Sequence, residues 1–221
     1  MEYHVIKTRR SRSFPGKHAL LAGATKRIAQ ATVIVVIGTN VRKRAASLAQ
    51  WKHKTAVVLE LGTECLGVYT GESRGEEGSN VVGFARFRLG DAEPTNLVEL
   101  VRQPRTSEAA IAATKEVFEK AGLQVAVCGD FAGRIIDRLV RPYYNAALRR
   151  LDEGLASADD LDTTLKLGLG YPEGPIALLE RTGLAHHCDV SQVLFDAYGD
   201  PAYAPARRAQ VARQRASGKR K

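Results

Sequence analysis

The run Val33–Ile37, VIVVI, limits what this chain can fold into more than any other stretch. Five consecutive β-branched residues leave no polar face, the pattern of a strand buried on both sides in a sheet covered by other layers. Thr55–Leu61 (TAVVLEL) reads as a second strand and Tyr3–Ile6 as a short one. Val81–Phe87, Leu97–Val101 and Leu123–Val127 complete the set, with a polar, Gly-rich loop over residues 70–80. Ala45–Trp51 has helical character, and Thr106 or Ser107 caps a helix that carries Ile111 and Phe118 on one face and stops at Gly122. The alternation predicts an α/β layer with a mostly parallel sheet.

After Asp130 the pattern changes period. Ile135, Leu139, Tyr143 and Ala146 recur near 3.6 residues, predicting a long helix over residues 134–151. Ser157 and Asp160 resemble a capping box before Leu161 and Leu165, and Pro175 suits the first turn of a following helix. The expected organisation is an α/β domain over residues 1–129, an all-helical domain over 130–206 and a basic tail over 207–221.

The net charge of +9 is unevenly placed. Residues 1–54 hold 12 Lys/Arg against one acid, Glu2, and the last 15 hold seven basic side chains and no acid. The acidic middle between these ends argues against a uniformly basic nucleic-acid binder. Basic ends are most simply solvated surface, with nucleic acid or a CoA phosphate as alternative partners. Nucleic acid ranks last, because no aromatics are interleaved with the basic residues. The cluster Arg9, Arg10 and Arg12 reads as a mobile, solvated segment, with phosphate binding as the alternative.

No run approaches 18 uncharged apolar residues, so no membrane span is expected, and Phe14-Pro15-Gly16-Lys17 interrupts any signal-peptide core. Cys65, Cys128 and Cys188 lack ligand spacing and read as reduced thiols of a cytoplasmic protein, with no metal site. His186 and His187 are adjacent, cannot easily share a metal, and read as helix-surface residues. Tyr143 and Tyr144 read as packing, and Gly23-Ala24-Thr25 as a turn.

Glu153–Pro175 reads EGLASADDLDTTLKLGLGYPEGP, with Gly133, Arg138, Pro142, Tyr143 and Asn145 upstream. This is similar, position for position, to the C-terminal domain signature of 3-hydroxyacyl-CoA dehydrogenases, whose upstream motif runs Pro-Gly-Phe-x-x-Asn-Arg-x-x-x-Pro-Tyr. Further back, Asn96–Arg105 with Thr106 and Ser107 resembles that family's Leu-Val-Glu strand and helix start. Val81–Gly83 resembles the strand leading to its catalytic histidine, Val58–Val68 the segment holding Ser-Asn-Thr-Ser, and Ala31–Val36 an earlier strand. At the other end Asp200, Pro201, Pro205 and the basic residues up to Gly218-Lys219-Arg220 resemble the family's final segment, without its closing Gly-Phe-Tyr.

The resemblance implies oxidation of an L-3-hydroxyacyl-CoA with NAD, a histidine base and a carboxylate that holds it. It also implies that Glu99 is the carboxylate and that Ala85 stands where the histidine belongs. The 85–99 interval is slightly longer than in the family, which leaves the register arguable. No histidine occurs between His53 and His186, whatever the register. Of Ser-Asn-Thr-Ser only Thr63 stands. Leu61, Gly62 and Glu64 take the other places, Glu64 being repulsive to an acidic cofactor, and Asp137 replaces the family Asn. The 20 glycines never form Gly-x-Gly-x-x-Gly, and Tyr3–Ile6 is followed by Lys7-Thr8-Arg9-Arg10-Ser11-Arg12. The expected fold is therefore a shortened Rossmann-like domain, without much of the mononucleotide-binding half, followed by the family's helical domain. The expected function is a degenerate family member without NAD-dependent turnover, a homodimer through its C-terminal helices, with acyl-CoA binding retained. Two alternatives stay open: an active NAD-dependent dehydrogenase of fatty-acid metabolism using another base, or a nucleic-acid-associated protein. Glu99 itself, without histidine, reads as a solvated or Arg-paired strand residue.

Overall fold

The computed structural model describes residues 1–41 and 48–218. The chain divides into two compact units, Met1–Arg88 with Pro94–Arg134, and Leu89–Glu93 with Ile135 onward. The first unit is one six-stranded sheet in sequential order: β1 (Tyr3–Lys7), β2 (Val33–Ile37), β3 (Ala56–Glu60), β4 (Val81–Arg86), β5 (Leu97–Arg102) and β6 (Gln124–Gly129). All neighbours are parallel except β4 and β5, which are antiparallel.

The VIVVI strand is buried on both faces as its composition demands. Val33, Val35 and Ile37 join Val58, Phe84 and Leu100 under helix α3 (Glu108–Lys120), which presents Ala110, Ala113, Val117 and Phe118. Ile34 and Val36 face the other way, against Trp51, Val41 and Leu66. Gly122, at φ +84°, follows the end of α3 as the sequence predicts. Ser107 takes the N-cap position of α3 but makes no capping bond with its side chain. Of the helix expected over Ala45–Trp51, residues 45–47 lie outside the described residues and Leu48–Trp51 form a single 3-10 turn.

The two connections leaving β1 and β2 diverge. The first, which includes the one-turn helix α1 (Ala19–Ala22), packs Phe14 and Leu20 on the α3 face, while the second packs Val41 and Trp51 on the opposite face. Because β1, β2 and β3 follow one another in one direction, connections on opposite faces have opposite hands, a departure from the near-universal right-handed crossover. Such divergence is what opens a ligand crevice at the carboxyl ends of strands in open α/β sheets. The Gly23-Ala24-Thr25 turn is structural: Thr25 donates its N–H to Tyr3 O (2.9 Å) and its carbonyl meets His4 Nδ1 (2.7 Å), covering that part of the β1 edge.

The second unit is helical: α4 (Ile136–Asp152), α5 (Ala158–Leu169), α6 (Pro175–Thr182), α7 (Leu184–Tyr198) and α8 (Arg207–Gly218). Pro142 sits inside α4 and cannot donate to the carbonyl four residues back. That carbonyl, Arg138 O, instead accepts from Tyr203 Oη at 3.3 Å. The segment expected as a basic tail is a helix as far as Gly218, with Ala209 fully buried. Arg207 and Arg208 pair with Asp152, and Arg213 with Asp189. The expected Lys219-Arg220 turn lies outside the described residues.

The long signature turns out to be a packing device. Asp162 on α5 accepts from the N–H groups of Ile176 and Ala177 (both 2.9 Å), the exposed donors at the start of α6. Gly174 lies directly against the Asp162 side chain, where any Cβ would collide, and Pro175 opens the helix. Asp162→Ala is expected to cost about 1–3 kcal/mol by leaving two N–H groups without an acceptor. Urea unfolding monitored in the second unit reads this, and a loss below a few tenths of a kcal/mol would remove the capping role.

Candidate functional site

Glu99 lies in the middle of β5 and is 2% exposed. Its direct cross-strand partner on β4 is Ala85. Leu89–Glu93, between the two strands, belongs to the second unit, where Asp91 N–H donates to Thr182 O at 3.4 Å. The residue opposite the carboxylate is a methyl group, which moves no proton.

A cation comes to the carboxylate from elsewhere. Arg134 Nε is 3.4 Å from Glu99 Oε2, with both side chains buried. Arg134 Nη2 donates to Gly62 O at 2.6 Å, and Gly133 N–H donates to Thr63 O at 3.2 Å. Arg134 adopts φ +52°, a left-handed conformation that a non-glycine residue holds at a cost, so surrounding contacts must fix it. Its Nε and Nη1 are buried without a hydrogen-bond partner. A guanidinium has five donors, no acceptor, and does not lose its proton in proteins. The guanidinium can hold charge and position backbone, but it cannot take a proton from a hydroxyl. Arg134 was not singled out in the sequence, although it stands where the resembled motif has Phe, directly after Gly133.

Around this pair the chemistry is quiet. Asp130 accepts from Leu66 N–H (2.6 Å) and Gly67 N–H (2.7 Å), holding the start of the single-turn helix α2 (Gly67–Thr70). Glu64, expected as a repulsive carboxylate, accepts from Tyr69 Oη at 2.7 Å. Burial and the nearby Glu99 push the Cys128 thiol up to about 11, and burial with Asp130 raises Cys65, so neither is a ready thiolate nucleophile.

At the carboxyl ends of β2, β3 and β4 the segment after β1 is pinned in place. Glu60 Oε1 accepts from Ser11 Oγ (3.0 Å) and Ser13 N–H (2.7 Å), and its Oε2 accepts from Gly38 N–H (2.6 Å). Arg86 donates from Nη1 to Ser13 O at 2.9 Å and lies 5.1 Å from the Phe14 ring centroid. Ser11, Ser13 and Phe14 are all buried, which corrects the expectation of a mobile, solvated segment. Only the intervening arginines face water, and Arg12 Nη2 donates to Arg88 O. A cleft of about 230 Å³ remains beside Glu60, Gly38, Leu61 and Tyr69. NAD does not fit this arrangement. A dinucleotide needs free backbone N–H groups and a close glycine approach, whereas the N–H groups of Ser13 and Gly38 are already bound to Glu60.

The second unit holds a buried polar chain that corrects the reading of His187 as a helix-surface residue, while His186 is half-buried. His187 is 1% exposed. Arg141 Nη1 donates to His187 Nδ1 at 3.1 Å, so the ring proton sits on Nε2, which donates to Asn145 Oδ1 at 2.9 Å. Asn145 Nδ2 continues to the carbonyls of Ala202 and Tyr203, and Arg141 Nε bonds Asp137 Oδ1 at 2.7 Å. Asp137, which replaces the family Asn, is therefore the counter-charge of Arg141. Tyr143 packs between Tyr144 and Tyr171, with its hydroxyl pushed up to about 12 by burial. Among the described residues no helix is long and apolar enough to cross a membrane.

Residues 133–221 match the family described as 3-hydroxyacyl-CoA dehydrogenase, C-terminal domain. A 3-hydroxybutyryl-CoA dehydrogenase of Bradyrhizobium diazoefficiens is 38% identical over 109 residues, covering 49% of this chain and 37% of that relative. The human mitochondrial hydroxyacyl-coenzyme A dehydrogenase is 40% identical over 88 residues, 40% of this chain and 28% of its own length. The matches thus span well under half of these curated relatives. The crystal structure of (S)-3-hydroxybutyryl-CoA dehydrogenase from Ralstonia eutropha superposes with a TM-score of 0.67 at 24% identity, over 86% of this chain and 66% of that one. It shares the fold.

Proposed function

Through residues 133–221 the chain belongs to the 3-hydroxyacyl-CoA dehydrogenase family, and on that premise we propose that it works without NAD-dependent turnover. In this reading it is a homodimeric, cytoplasmic member that keeps the helical assembly unit and binds acyl-CoA. The observation that carries this is Ala85 facing Glu99, with Arg134 as the buried counter-charge. Hydride loss from a 3-hydroxyacyl group needs a base for the hydroxyl proton; a methyl is none, and the one carboxylate at the site is buried against a guanidinium. Self-association is supported by large apolar side chains facing water on the second unit: Leu139, Leu155, Leu167 and Leu169 are each more than 60% exposed. Acyl-CoA as ligand is supported by the relatives, whose names carry that substrate class. The nucleic-acid alternative loses support because Arg207, Arg208 and Arg213 are paired with carboxylates of their own unit.

The test is calorimetric titration with acetoacetyl-CoA and with NADH, with NADH absorbance followed in the same sample. Acetoacetyl-CoA is expected to bind without NADH, with no absorbance loss, and light scattering should give twice the 24.0 kDa chain mass. Steady NADH oxidation dependent on acetoacetyl-CoA would overturn the reading.

A further inference from the structure

We propose that Thr8–Phe14 is a built-in plug that occupies the ligand crevice at the carboxyl ends of β2, β3 and β4 and leaves only a cleft of about 230 Å³ beside it. The proposal extends the reading of a chain without NAD turnover and rests on it for its consequence, but its geometry is independent of Ala85. In an open α/β sheet this crevice receives an anion, because backbone N–H groups converge there without partners. Here the anion is internal. The Glu60 carboxylate gathers the N–H groups of Ser13 and Gly38 and the Ser11 hydroxyl, three donors that would otherwise be open to a phosphate. Gly38, at φ +109°, lies against the chain leaving β1, and a Cβ there would sit 2.7 Å from Arg9 N. The Ser11 hydroxyl also accepts from Phe14 N–H at 2.9 Å, closing the turn on itself.

The far end of the plug is anchored as firmly. Arg86, the last residue of β4, bonds Ser13 O, Thr95 O and Pro94 O, and its own N–H meets Ser13 Oγ at 3.3 Å. Phe14 is 1% exposed and shares the α3-side core with Phe84 and Leu20. A lid that opens is held by few buried contacts, whereas this segment combines core burial with a closed set of bonds to two buried charged side chains. The Phe14 end of the plug is therefore part of the hydrophobic core, and the segment stands where a dinucleotide would lie.

Residue-resolved hydrogen exchange on the full chain tests this. The amides of Ser13, Phe14 and Gly38 are expected to exchange at least roughly 100-fold more slowly than the exposed Gly16 and Lys17, and excess NADH should leave them unchanged. Glu60→Gln should speed Ser13 and Gly38 while amides of α4 keep their rates, which separates loss of the plug from loss of folding. Exchange at Ser13 and Gly38 as fast as at Gly16 overturns the plug, even if no NADH turnover is seen. NADH binding also overturns it, as a lid if those amides are exposed on binding and as a misplaced cofactor crevice if they stay protected. Turnover of acetoacetyl-CoA is read separately and bears on the proposed function.

Discussion

Glu99→Ala is expected to destabilise the first unit by about 3–5 kcal/mol, the typical loss when one partner of a buried ion pair is removed. The mechanism is the stranding of Arg134. With the carboxylate gone, its guanidinium stays buried, keeps its charge, and retains Gly62 O as its hydrogen-bond acceptor. The reverse deletion is predicted to be milder. Arg134→Gly removes this counter-charge, but it also relieves the φ of +52° that Arg134 holds. The double change Glu99→Leu/Arg134→Met should recover most of the loss, since apolar replacement of both partners of a buried pair is often neutral. Urea midpoints of the wild type, the double change and its two components, Glu99→Leu and Arg134→Met, give the coupling directly. If Glu99→Ala costs less than about 1 kcal/mol, the pair is solvated and the electrostatic account of the site fails.

What the residues could and could not reveal follows from the range of the interactions involved. The VIVVI strand and the Ser157 cap are local patterns, and each folds as its neighbours in sequence dictate. The signature over residues 153–175 was legible as a resemblance, yet its physical content needed coordinates. Asp162 and Gly174 only explain one another once α5 and α6 are seen to meet. The charge of Arg9, Arg10 and Arg12 reads as solvated chain, and those three side chains do face water, but the residues between and after them do not. The alternation Ser11, Ser13 buried and Arg12 exposed was available as a signal, but Glu60 and Arg86, which bury those serines, lie on distant strands. Arg134 is visible as the wrong residue in a familiar motif, and of the two readings of Glu99, solvated or Arg-paired, the structure shows the second. For His186 and His187, adjacency reads as placing both on the helix surface. The same geometry, about 100° of rotation between neighbours on a helix, sends one of two adjacent side chains inward.

That inward histidine makes the second unit acid-labile. Burial, then Arg141 and His186, push His187 down to about 3 from its ordinary 6.5. Between those two values the unfolded chain carries a proton that the folded chain does not, so stability rises with pH across the window. Read downward, the contribution of neutral His187 is complete above about pH 6.5 and drains away as pH falls toward 3. At about 1.4 kcal/mol for each pH step, the loss reaches about 4 kcal/mol at the acid end. The cause is visible in the bonds: a proton added at Nδ1 would face the Arg141 N–H that now donates there, placing two donors and two positive charges together. His187→Gln can still accept from Arg141 and donate to Asn145, but it does not titrate. Its stability at pH 7 should drop by about 1–3 kcal/mol, while the extra acid slope between pH 6.5 and 4 disappears. Carboxylates elsewhere contribute the same background slope to both proteins, so the difference between the two pH profiles isolates the histidine. Parallel profiles would mean that His187 is already reached by water and protons in the folded state, and the buried relay from Asp137 to Asn145 would have to be abandoned.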